Sequence, residues 1–168
     1  MKSRWVKYTV AIVGVIALVI AAVAGYGATQ PRDHEASRTV ELNMAPAEAF
    51  AILTDFGTYG CWRDEIERVD VEGNQFVEHG PDGDVRYEVV ERLAPSRLVV
   101  RIADDDLPYG GTWTYELAPV GTGATSLTIT ERGFIDSVVV RGLAAMLMDP
   151  TDSIVRVQSA LQHYTPCE

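Results

Sequence analysis

Cysteine is scarce in this sequence. Cys61 and Cys167 are the only two in 168 residues. Neither a disulfide-built scaffold nor a multi-cysteine zinc site can be made from them. Lysine is confined: Lys2 and Lys7 are the only two, and Arg4 is the one other basic residue before Arg32. From residue 30 onward 11 Arg face 24 Asp and Glu, a balance of −13, within an overall formal charge of 14 − 24 = −10. A chain with no basic patch lacks the phosphate-neutralising surface that nucleic-acid binding requires. Its acidic part is soluble and self-repelling. His34, His79 and His163 are scattered, with no H-x-x-x-H pair, so the expectation is no metal and no cofactor. Hydrophobic residues make up 47% of the chain, too many for a disordered one.

No charge occurs from Thr9 to Ala28, a run of 20 residues. As a helix it spans about 30 Å, the thickness of the hydrocarbon core of a bilayer. Trp5, Tyr8 and Tyr26 stand where interfacial aromatics belong, and Lys2, Arg4 and Lys7 assign the N-terminus to the cytoplasm. The competing reading is a signal peptide cleaved after Ala22-Val23-Ala24. The run exceeds the usual apolar region of a signal peptide, which favours an anchor. Either way, the domain that follows lies outside the cytoplasmic membrane. The expected organisation is a basic N-terminus at 1–8, a transmembrane anchor at 9–28, a polar linker at 29–35, a domain at 36–164 and a tail at 165–168.

Alternating residues predict a first strand over 37–43. Pro46 suits the first turn of a short helix that buries Ala47, Phe50, Ala51, Leu53 and Thr54. Six more strands follow, over 65–71, 75–79, 84–93, 97–103, 112–118 and 124–134, separated by Gly-, Pro- and Asn-containing turns. Connections this short dictate antiparallel pairing. Apolar residues at helical spacing run from Val138 to Tyr164, and Pro150 predicts a break near Met148–Thr151. The fold class is therefore α+β: a seven-stranded curved antiparallel sheet around a long kinked C-terminal helix, preceded by one transmembrane helix. One helix cannot fill such a sheet, so a ligand cavity between them is expected.

Three stretches resemble a known superfamily. They are residues 47–56 with Tyr59 and Trp62, residues 110–117 (GGTWTYEL), and residues 127–133 (LTITERG). Together they resemble the START-like, or helix-grip (SRPBCC), superfamily, in particular its polyketide cyclase/dehydrase and lipid-transport branch. The resemblance covers about residues 36–164 and implies a helix-grip fold. For activity it implies only a range, because members include binders, carriers and cyclases. The N-terminal anchor is an addition to the family core.

Strand parity directs Glu91 and Glu131 inward with their apolar neighbours, where two carboxylates could work as acid and base. The alternative is that both sit at strand ends facing solvent or an Arg. Tyr87 and Tyr109 complete the catalytic candidates. Arg101 and Arg132 have outward parity and are expected to pair with carboxylates such as Glu88 or Glu116. Asp104–Asp106 reads as a solvated acidic loop, with Tyr109, Gly110 and Gly111 as a gate at the cavity rim. The expected ligand-binding set is Trp62, Tyr87, Val89, Val100, Trp113, Tyr115 and Ile129 from the domain, with Leu143, Met146 and Leu147 from the helix. Whether Cys61 and Cys167 pair is open at this level.

The leading expectation is a membrane-anchored module that binds or carries a hydrophobic small molecule: a lipid, isoprenoid, quinone or polyketide. Its partners are then that molecule and the membrane, through residues 9–28. One alternative is a cyclase or dehydratase-type lyase using the inward carboxylates. Another is an accessory subunit of an envelope complex.

Overall fold

The computed structural model describes residues 2–81 and 83–167. The side chains of Lys2 and Arg4, which carry the orientation expectation, and Asp82 of the Gly80–Gly83 turn lie outside the described residues. The chain opens with a single helix, α1 (Lys2–Thr29). It is long and apolar enough to cross a membrane, and most of its large side chains are exposed.

Three residues separate α1 from strand β1 (Asp33–Leu42), which begins earlier than the alternation suggested. The charged stretch expected to be linker joins the sheet because Asp33–Ala36 finds partners in Phe134–Glu131. Helix α2 (Pro46–Thr54) has Pro46 in its first turn and buries Ala49, Phe50, Ile52 and Leu53. Ala47 and Ala51, expected inside, are exposed, so the buried stripe is rotated by about one residue. A 3-10 turn (Phe56–Thr58) and the one-turn helix α3 (Tyr59–Trp62) follow.

The remaining strands are β2 (Arg68–Glu72), β3 (Gln75–Gly80), β4 (Gly83–Leu93), β5 (Arg97–Ile102), β6 (Tyr109–Val120) and β7 (Ala124–Ile135). They form one seven-stranded antiparallel sheet in the order β1-β7-β6-β5-β4-β3-β2. Consecutive strands from β2 to β7 are neighbours, as short hairpins demand. The β2–β3 turn uses Gly73 at φ +62, a conformation that is costly for residues with a Cβ.

One face of the sheet holds Leu42, Leu127, Ile129, Tyr115, Leu98, Val100 and Phe76, all buried. Phe50 and Leu53 of α2 cover part of it. The C-terminal helix is broken at the expected place, giving α4 (Val138–Leu147) and α5 (Asp152–Gln162). Asp149 Oδ1 accepts hydrogen bonds from the backbone N–H and hydroxyl of Thr151, each at 2.7 Å, across the break at Pro150. Helix α5 packs Ile154, Val157 and Leu161 into the core. Burying each such side chain contributes about 1.5–3 kcal/mol. The Gln158 amide, buried with them, donates to Arg38 O at 2.9 Å.

Helix α4 goes elsewhere. It packs along the C-terminal end of α1 and buries only Gly142. Leu143, Met146 and Leu147 are exposed and do not face the sheet. Their spacing makes an apolar face, as read, but that face is not the one the sheet grips.

Cys61 and Cys167 form a disulfide with Cα atoms 5.7 Å apart, joining α3 to the end of the described chain.

Candidate functional site

A small, partly open cavity of about 30 Å³, room for about one water, lies on the concave face toward the β2 side of the sheet. Strands β4, β5 and β6 supply Tyr87, Val100, Trp113 and Tyr115 to its wall. Strand alternation aligns them: Val100 pairs with Trp113 and Leu98 with Tyr115, so each inward side chain stands beside the next. Phe76 of β3 stacks on Tyr87 at 5.1 Å between ring centroids and on Phe56 at 4.2 Å.

The polar end comes from α3 and β3. Arg63 follows α3 directly and points inward, donating from Nη1 to Glu78 Oε1 at 2.7 Å and from Nε to Glu65 Oε1 at 2.9 Å. The Arg63 and Glu78 side chains are only 11% and 10% exposed. The guanidinium also lies 5.0 Å from the centre of the Tyr59 ring. Tyr59 is anchored by its hydroxyl, which donates to Leu53 O at 2.7 Å. Glu78 points inward because it shares the parity of Phe76 in β3.

Burial disfavours the charges of this pair. It pushes the Glu78 carboxyl above the usual carboxylate value, and Arg63 offsets only part of that. On Arg63 burial opposes the charge, but Glu78, Tyr115, Glu65 and Tyr59 outweigh it and hold the guanidinium protonated. Burial likewise raises the phenols of Tyr87 and Tyr115, which stay neutral donors at physiological pH. Among the described residues, neither of these two hydroxyls has a protein hydrogen-bond partner, whereas that of Tyr59 does. The cavity thus offers an aromatic wall, two free phenols and one paired cation. That set can hold a small molecule with an apolar body and an oxygen-bearing end.

Tyr87, Val100, Trp113 and Tyr115 are brought together there. Val89 and Ile129 pack in the surrounding core, outside the lining. Trp62, the last residue of α3, is buried and contacts Tyr59 edge-on at 5.1 Å. Its indole N–H is buried without a partner among the described residues. Leu143, Met146 and Leu147 are remote from the cavity, for the reason given with α4.

The catalytic candidates separate. A register shift between Val89 and Glu91 puts an extra residue, Val90, into β4. Such a bulge reverses the parity beyond it. Glu91 therefore pairs with Val99 and faces outward, where Arg97 donates to it at 3.1 Å. Glu131 does face inward, but its carboxylate accepts from Ser153 Oγ at 2.8 Å and lies 3.4 Å from His34 Nε2. Tyr109 opens β6 opposite Ile135 and lies outside the cavity lining. Gly110 and Gly111 are strand residues, not a gate: a Cβ on Gly110 would meet the Phe134 ring at 2.8 Å, and one on Gly111 the Arg132 carbonyl at 2.5 Å. The outward arginines pair as their parity requires, Arg101 with Glu88 and Arg132 with Glu35. Among the described residues, no three His, Cys, Asp or Glu side chains converge as metal ligands.

Sequence reasoning missed Arg63 and Glu78. The parity of Gln75–Gly80 carries the signal for Glu78. Nothing local directs Arg63 inward, since it leaves α3 in an extended conformation at φ −114, ψ 107.

A curved antiparallel sheet closing on a C-terminal helix, with an aromatic cavity on its concave face, defines a helix-grip domain. The chain belongs to the family described as polyketide cyclase / dehydrase and lipid transport, whose match covers residues 33–156. No curated protein matches the sequence. The solved structures it resembles share the fold at low identity. One is a START superfamily protein from Mycobacterium smegmatis, with 17% identity, a TM-score of 0.62, and coverage of 77% of this chain and 95% of that one. Norcoclaurine synthase from Thalictrum flavum has 10% identity and a TM-score of 0.61, with 82% and 88% covered. One half of the di-domain ARO/CYC StfQ from the steffimycin biosynthetic pathway also matches, with 17% identity and a TM-score of 0.60, over 76% of this chain and 49% of that one.

Proposed function

We propose that this protein is a membrane-anchored START-like domain that binds or carries a hydrophobic small molecule, held outside the cytoplasmic membrane by α1. The observation that carries the binding half is the cavity itself. Its wall is aromatic, and its polar groups are gathered at one end around Arg63 and Glu78. A lipid, isoprenoid, quinone or polyketide bearing a carbonyl or hydroxyl has that polarity. At about 30 Å³ the cavity admits only the leading group, so binding opens the space between α2, α3 and the sheet. Two features support the membrane half: the uncharged stretch within α1, and a disulfide of the kind that persists in an oxidising compartment. Tethering raises the local concentration of a ligand dissolved in the bilayer.

A cyclase or dehydratase-type activity is the second reading. The observation favouring it is a buried carboxyl of raised pKa, Glu78, facing two free phenols. Acid–base work in this domain then belongs to Glu78 with Tyr87 or Tyr115, and not to Glu91.

Native mass spectrometry of the full chain, purified from its own membrane, tests the primary reading. A stoichiometric co-purifying apolar molecule is expected, lost in Val100→Phe, which fills the cavity. A protein that carries nothing and takes up no apolar probe would leave the accessory-subunit reading in front. Conversion of the bound molecule on incubation, abolished by Glu78→Gln, would favour the enzyme.

A further inference from the structure

We propose that α4 and the turn after it lie in the membrane, as a second, shallow contact between the domain and the outer leaflet. The inference rests on the reading of α1 as a membrane span.

Three observations meet here. First, α4 is fixed against α1 at one depth. Gly142 stands so close to Gly27 and Val23 that a Cβ on Gly142 would strike the Val23 carbonyl, and one on Gly27 would strike that of Val138. Residues 23–27 belong to the last turns of the apolar run Thr9–Ala28, after which Thr29 and Gln30 are polar. At 1.5 Å per residue, the contact lies within about 8 Å of the end of that run. A helix packed there is level with the boundary between headgroups and acyl chains. It cannot stand clear of the lipid unless α1 does.

Second, the part of α4 turned away from α1 and the sheet is apolar. Leu143, Met146, Leu147 and Met148 are 43%, 60%, 76% and 60% exposed, and they follow one another along the helix and into the turn. Water is a poor neighbour for four such side chains in a row.

Third, the charge of this segment suits a lipid surface. Residues 137–148 contain no carboxylate and a single cation, Arg141, between Asp136 and Asp149. A segment without acidic groups meets no like-charge repulsion at an anionic lipid surface. An interfacial helix buries its apolar face about 5–10 Å into the headgroup boundary. That depth is the one the α1 contact assigns to α4.

The occupant of this surface is therefore lipid, not a second protein. Its consequence is orientation. One membrane span lets a domain swivel about its linker, whereas two contacts fix which side of the sheet faces the bilayer.

The test places tryptophans in the full chain, in a Trp5→Phe background, reconstituted in vesicles of phosphatidylcholine brominated along its acyl chains. Val15→Trp reports on the span itself. Leu147→Trp and, independently, Met146→Trp report on the proposed surface. Val90→Trp, on the exposed bulge of β4, is the control for the water-facing side. Loss of the added emission to brominated lipid is expected for Val15→Trp, Leu147→Trp and Met146→Trp, with Val90→Trp quenched only by aqueous iodide. Quenching of Leu147→Trp and Met146→Trp by iodide alone overturns the proposal. So does protection from both quenchers, which would mean that another copy or another protein covers α4. If Val15→Trp itself escapes brominated lipid, it is the membrane-span reading that fails.

Discussion

Arg63 and Glu78 meet at 2.7 Å with about nine-tenths of each side chain buried, and they are the most enclosed opposite charges among the described residues. They come from different parts of the chain, one just past α3 and one in β3. Their pairing fastens the helical segment over the sheet at the cavity.

Breaking this pair from one side is costly. Arg63→Met leaves Glu78 buried and unpaired, and Glu78→Leu leaves Arg63 with only Glu65. Each single change is expected to destabilise the domain by about 3–5 kcal/mol. The double variant Arg63→Met/Glu78→Leu should recover much of that loss. Urea unfolding of the four proteins checks it, and strictly additive losses would contradict the coupling.

Acid titration should expose Glu78. Its carboxyl is raised in the folded state, so the folded protein binds this proton more readily than the unfolded chain does. That contribution favours the fold at low pH and fades as pH rises from about 4.5 through the raised value. Exposed carboxylates such as Glu35 and Asp70 are lowered by their hydrogen bonds to Arg132 and Arg68, and they act in the opposite sense. The stability gap between wild type and Glu78→Gln should therefore narrow as pH rises above 4.5. A gap that widens with pH would show the carboxyl to be lowered instead.

Cavity filling distinguishes the cavity wall from α4. Val100→Phe places extra carbon in a cavity with room for about one water, and overpacking of this kind costs about 1–3 kcal/mol. It should abolish binding of an apolar dye. Leu143→Trp, on exposed α4, should leave binding intact. Trp113, in the wall itself, supplies the fluorescence signal.

Detaching α4 should leave the core folded. Gly27→Leu forces a side chain into the Val138 carbonyl and separates α4 from α1, while α5 keeps its own core contacts. Limited proteolysis should cut between 138 and 151 much faster in the variant, with little change in the unfolding midpoint of the domain. A large fall in that midpoint would show that α4 supports the core after all.

Topology and the disulfide can be read together. Protease added outside spheroplasts is expected to digest the domain and leave a membrane-held fragment. Cysteine-directed reagents should label the protein only after reduction. Replacing both cysteines by serine should cost about 2–4 kcal/mol. A domain protected from protease would refute the external location.

The sequence of elements and the helix break were legible because they depend on local chemistry, whereas the pairing of β1 with β7 joins distant parts of the chain and was not read. Alternation and Gly-containing turns mark the strands, and Pro150 cannot continue a helix. Glu91 was misread because a bulge is a property of two strands in register, and Val90 carries no mark of its own. Leu143, Met146 and Leu147 were misread for a different reason. Helical spacing shows that an apolar face exists, but not what covers it. Arg63 depends on one extended residue after α3, and an isolated Arg reads as surface.

The Cys61–Cys167 bond also sets the mechanics of the molecule. Tension applied between α1 and the end of the chain passes from residue 61 straight to residue 167. Residues 62–166, including six of the seven strands and every cavity-lining residue except Tyr59, lie in a closed ring that carries no load. Only the segment containing β1 and α2 can be drawn out. In the oxidised protein, a tug on the C-terminus would peel the edge of the sheet and leave the strands of the cavity wall unstretched.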